Sequence, residues 1–200
     1  MFDFLRISTK TPKRNVSEVY PKFVITDSKD LMIRGGDFYA IWDEESKLWS
    51  TSEQTALRLI DREIEKYVNE HEELSFDSKV VPLYLWDSDS GMVDKWHKYC
   101  QKQMRDNFHM LDERIIFANE TTKKKDYVTK RLPYPIEEGE CAGDEKLIST
   151  LYTPEEREKI EWAIGSIITG DSKKIQKFLV LYGAAGTGKS TILNIIQDLF

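Results

Sequence analysis

The sequence predicts an α+β N-terminal domain followed by the opening of an α/β domain, on three observations. Residues 1–131 hold short β-branched and aromatic runs interspersed with two amphipathic helical patterns. Residues 132–152 carry Pro133, Pro135, Gly139 and Gly143 among acidic residues, the composition of a linker. Residues 153–200 contain Gly183-Ala184-Ala185-Gly186-Thr187-Gly188-Lys189-Ser190, which fits G-x-x-x-x-G-K-[ST] at every fixed position. The apolar run 177–182 before it reads as a buried strand, and residues 191–200 after it read as a helix. This last part is therefore expected to be the first strand–P-loop–helix of a truncated α/β P-loop NTPase domain.

In order along the chain, Thr9-Lys10-Thr11-Pro12-Lys13-Arg14-Asn15 reads as a solvated loop or arm, with nucleic-acid contact as the sharper alternative. Phe38–Trp42 and Lys47–Ser50 read as strands around an Asp43-Glu44-Glu45-Ser46 turn. Thr51 or Ser52 caps a helix with Leu57, Ile60, Ile64, Tyr67 and Val68 on one face, ending near Asn69–His71. Val80–Trp86 reads as a strand or a buried loop, and Pro82 argues against a central strand. A second helix is expected from about Ser90 to Arg105, with Met92, Val93, Trp96, Tyr99, Cys100 and Gln103 or Met104 on its apolar side. Arg114–Ala118 and Asp126–Thr129 read as strands with Lys123-Lys124-Lys125 as a charged turn, either a solvated tip or a phosphate contact. After the linker, Thr153, Pro154 and Glu156 form a capping box with proline at the first helical position. Ile160, Ala163, Ile164, Ile167 and Ile168 follow on one stripe, and Gly170 ends the helix.

Net charge is −6 with 32% charged and 40% hydrophobic residues, and the mean hydropathy is −0.52 with pI near 5.3. These values suit a soluble protein and argue against nucleic-acid binding by bulk charge, though not by a local basic patch; the expected location is the cytoplasm. No apolar run approaches the roughly 18 residues of a membrane span. Cys100 and Cys141 lack zinc-ligand spacing and point to a reducing compartment. His71, His97 and His109 are scattered, without metal-ligand spacing. Asp87-Ser88-Asp89 is either a turn and N-cap or a carboxylate pair for metals, and the following Gly91 favours the turn.

The loop supplies the chemistry. Gly183, Gly186 and Gly188 let backbone N–H groups converge on an anion at a helix N-terminus. Lys189 reaches the β- and γ-phosphates of ATP and is the catalytic candidate. The Ser190 hydroxyl ligates Mg²⁺, and Thr191 adds a donor toward the α-phosphate. Ala184, Ala185 and Thr187 complete the cradle.

Ile164-Gly165-Ser166-Ile167-Ile168-Thr169-Gly170, Lys174–Gly183 and Gly188-Lys189-Ser190-Thr191 resemble the start of the ATPase core of phage and poxvirus primase–helicases of helicase superfamily 3. Ile116-Phe117-Ala118-Asn119 and Val128–Tyr134 resemble the segment preceding that core, so the resemblance covers about residues 114–200. Residues 1–110 match only loosely the α/β or winged-helix-like region found upstream. Thr187 stands where many members carry Asn, and the Walker B strand, the sensor and the arginine finger have no counterpart in the sequence. The resemblance implies a hexameric ring, in the full-length protein, that hydrolyses ATP between subunits. It further implies movement along single-stranded or replication-fork DNA in phage or plasmid replication, in the host cytoplasm, with no membrane. This chain alone is expected to be inactive. The competing expectations are another P-loop NTPase, such as a packaging motor or kinase, and a non-catalytic DNA- or protein-docking module.

Overall fold

A computed structural model describes every residue except Thr26, residues 104–107 and Cys141. The predicted helix end at Arg105, Met104 on its apolar side, and Cys141 lie outside the described residues. Among the described residues, eight strands and six α-helices make a mixed α+β fold in two compact units. The first unit comprises Met1–Leu111 and Lys123–Tyr127, and the second Asp112–Thr122 and Val128–Phe200.

In the first unit, β1 (Leu5–Lys13) and β2 (Val16–Phe23) form an antiparallel hairpin. The basic stretch 9–15, expected as a loop or arm, is therefore the outer half of a strand and its turn. An edge strand needs only its backbone groups to pair, so the lack of apolar side chains hid it. Lys10 opposes Glu18 in the register and bonds it at 2.8 Å. β3 (Leu31–Arg34), β4 (Asp37–Asp43) and β5 (Leu48–Ser50) form an antiparallel meander, with the predicted turn between the last two. α1 (Glu53–Glu70) starts as expected: the Ser52 side chain accepts the Thr55 N–H at 3.3 Å. β6 (Lys79–Pro82) lies parallel to β2 at the sheet edge, where a proline costs no ladder bond. The Asp87 carboxylate accepts the Asp89 N–H at 3.1 Å, and Gly91 is left-handed at φ 64°, so this segment forms the expected turn.

α2 (Met92–Lys102) then buries Met92, Trp96, Tyr99 and Cys100. These side chains pack with Phe4, Leu5, Leu31, Ile41, Ile60 and Ile64 into the main core. Cys100 is a free, buried thiol, and burial pushes its pKa up to about 12. A smaller cluster gathers Met32, Ala40, Trp42 and Trp49.

Inside the α1 stripe sits Asp61, which sequence periodicity did not single out. Its carboxylate accepts the N–H groups of Leu85 and Trp86 at 2.6 and 2.9 Å, tying the chain after β6 to the helix. Burial raises its pKa above the usual aspartate value, opposed by those two bonds and reinforced by the charge of Glu65.

In the second unit, β7 (Asp112–Ile116) and β8 (Val128–Arg131) pair in parallel. A parallel pair cannot close through a tight turn. Lys123-Lys124-Lys125, the expected turn between them, lies with Asp126 and Tyr127 in the first unit, and the strand expected from Asp126 begins at Val128. This division differs from the boundary expected at residue 131, because strand pairing draws residues 112–122 to the C-terminal part. The expected linker 132–152 contains α3 (Ala142–Leu151), whose Ile148 enters a core. α4 (Pro154–Ile168) carries the full capping box: Glu156 accepts the Thr153 N–H at 2.8 Å, and the Thr153 hydroxyl accepts the Glu156 N–H at 3.4 Å. Gly170 follows at φ 74°, and a Cβ there would lie 2.5 Å from the Arg114 nitrogen of β7. After α5 (Ser172–Ile175), α6 (Lys189–Leu199) closes the fold.

Residues 177–182, expected as a buried strand, pair with no strand among the described residues. Phe178 is 88% and Tyr182 98% exposed. A parallel strand draws its backbone bonds from neighbouring strands, and among the described residues none flanks this run. The apolar face of α6 instead covers helices: Ile192 packs with Ile148 and Ile160, and Ile195 and Ile196 lie against them.

Candidate functional site

The loop between residues 183 and 188 feeds directly into α6. Gly188 is its N-cap, left-handed at φ 74°, and Gly186 is also left-handed at φ 80°. Both conformations strain a residue with a Cβ. A Cβ on Gly188 would also strike the Leu151 side chain. With no side chain at the cap, Gly188 makes no side-chain capping bond to the first N–H groups of α6, those of Lys189, Ser190 and Thr191. They carry the positive end of the helix dipole.

The Lys189 side chain folds back into this loop. Its Nζ donates to the Gly183 carbonyl at 2.9 Å, the Ala184 carbonyl at 2.5 Å and the Thr187 hydroxyl at 3.0 Å. The Thr187 hydroxyl donates in turn to the Ala184 carbonyl at 3.0 Å. The ammonium thus spends its three donors on neutral oxygens of the loop itself. A phosphate oxygen would offer it a charged acceptor instead, and such bonds are roughly twice as strong as neutral ones. Gly183, Ala184, Ala185, Gly186, Thr187, Ser190 and Thr191 are exposed, while Gly188 and Lys189 are half-buried. The nine predicted site residues therefore lie on one continuous loop and first helical turn.

Beside the loop is a cleft of about 300 Å³. Leu151, Tyr152, Ile160 and Leu181 give it an apolar wall, and Glu156 and Lys159 join Lys189 as its charged groups. The Tyr152 hydroxyl is buried and has no hydrogen-bond partner among the described residues. Sequence reasoning missed these wall residues. Leu181 adjoins the loop, but Leu151, Tyr152 and Ile160 lie about twenty to thirty positions before it, and only the packing of α3 and α4 under α6 brings them to it. Glu156 was visible, but only as a helix cap, and its carboxylate remains engaged there.

An anion fits this arrangement: an uncapped helix start, a lysine that can exchange neutral acceptors for charged ones, and two left-handed glycines. The exposed Ser190 hydroxyl in the first turn is the group that would reach Mg²⁺. Among the described residues, no group of three His, Cys, Asp or Glu side chains could hold a metal unaided. No family model, curated protein or solved structure matches the chain.

Proposed function

We propose that residues 183–191 bind the triphosphate of ATP with Mg²⁺. In this reading the chain is the N-terminal part of an ATP-dependent replicative DNA helicase or primase–helicase of phage or plasmid type. The single observation that carries the nucleotide reading is Lys189 held inside a loop that opens onto an uncapped helix start. The loop N–H groups bind phosphate oxygens, Lys189 transfers its donors from Gly183 and Ala184 to the β- and γ-phosphates, and Ser190 ligates the metal. The cleft bounded by Tyr152 and Ile160 receives the rest of the nucleotide. Bound ATP supplies the free energy, and in the full-length protein its hydrolysis is coupled to DNA unwinding by a ring of subunits, a hexamer in the family that the loop region resembles.

Titration of the 200-residue chain with a fluorescent ATP analogue tests this reading. Saturable, Mg²⁺-dependent binding is expected, weakened at least about tenfold in Lys189→Ala by loss of a charge-assisted contact. ATP turnover by this chain is expected to be absent. Lack of binding, or binding indifferent to Lys189→Ala, would overturn it.

A further inference from the structure

We infer that a second site, on the first unit, binds single-stranded nucleic acid: a base stacks on the His109–Tyr127 ring column while Lys29 and Lys125 hold flanking phosphates. A cleft of about 490 Å³ is lined there by Lys29, Met32, Trp49, His109, Lys125 and Tyr127, with Lys124 beside them. Among the described residues no carboxylate lines it, although the chain as a whole carries a net charge of −6. Lys124 is neutralised by an ion pair with Asp30, which leaves the exposed Lys29 and Lys125 as available lysines of the cleft among the described residues.

The rings are fixed in advance. Trp49 packs edge-on to Trp42 and donates its indole N–H to the Lys124 carbonyl at 2.8 Å. Tyr127 stacks on Trp49 at 6.1 Å between centroids, and the exposed His109 lies on Tyr127 at 3.8 Å and 6°. A flat heterocycle parallel to an aromatic ring at that spacing is the geometry that a nucleobase takes on a stacking platform. Tyr127 adopts φ 51°, a left-handed conformation uncommon for a bulky residue, at the end of the lysine turn. That turn thus sets an aromatic ring and a cation side by side. A duplex hides its base faces within its own stack, so the chemistry selects a single strand. The site is independent of the ATP loop.

The test is fluorescence anisotropy of a labelled oligo-dT of about ten nucleotides, within the usual range of site sizes, with the full chain and no nucleotide present. Failure here is therefore separable from failure of the ATP reading. Binding that weakens with salt is expected. Lys29→Glu with Lys125→Glu should weaken it at least tenfold and flatten the log–log salt slope by about 1.4, the value for two phosphate contacts on a single strand. His109→Ala should weaken it about fivefold with the slope unchanged, as loss of one stacking contact does. Four results would overturn the proposal: no binding at low salt, equal affinity for a duplex, an equal loss in Lys13→Glu on the first hairpin, or competition by polyglutamate as strong as by unlabelled oligo-dT.

Discussion

At the scale of single residues, Asp61 and Gly170 show how far a sequence can be read. Asp61 falls four residues after Leu57 and three before Ile64, on the apolar stripe of α1. A carboxylate on such a stripe is a legible anomaly, but its partners, two backbone N–H groups after β6, are set by tertiary packing. Asp61→Ala strands both donors, and a loss of about 1–3 kcal/mol is expected in denaturant unfolding. Its pH behaviour follows from the raised pKa. The folded chain holds the Asp61 proton more tightly than the unfolded chain. The stability it contributes is therefore full below the ordinary value near 3.8 and is lost as pH rises through the folded value. Unfolding curves measured from acid toward neutral pH should show this loss in the wild type and lack it in Asp61→Asn. Gly170 was legible as a helix stop. Its close approach to the backbone of β7 was not, because that contact crosses more than fifty residues. Gly170→Ala should cost more than about 1–2 kcal/mol, the penalty for left-handed backbone alone, as read by thermal unfolding.

Secondary-structure elements divide by where their signal resides. α1 and α4 were readable from a capping residue with a 3.6-residue stripe, and α2 from its stripe, because both signals are local. Thr153→Ala should destabilise the second unit by about 1 kcal/mol. Amide exchange at Glu156, whose N–H it caps, should accelerate before exchange elsewhere in α4. The strands were less legible. β1 is polar because an edge needs only backbone partners, and β7 with β8 gave no hint of parallel pairing because orientation depends on the path between them. The run 177–182 has the composition of a buried strand without the neighbours that make one. Its exposed Phe178, Val180 and Tyr182 show that composition describes what a segment suits, whereas pairing depends on what lies beside it.

For the whole molecule, the mixed α+β class was legible, while the division into units was not, since residues 112–122 and 123–127 separate within a short stretch of sequence. No described helix is long and apolar enough to cross a membrane. The loop motif was complete in the sequence, yet its lysine's place among the loop carbonyls and the neighbouring cleft required the fold. Amide hydrogen exchange across residues 183–191, with and without saturating Mg²⁺–ATP, tests the nucleotide reading most directly. Slowed exchange confined to the loop and the first turn of α6, and lost in Lys189→Ala, is the expected result. Unchanged exchange at saturating nucleotide, or slowing that leaves this loop untouched, would contradict it.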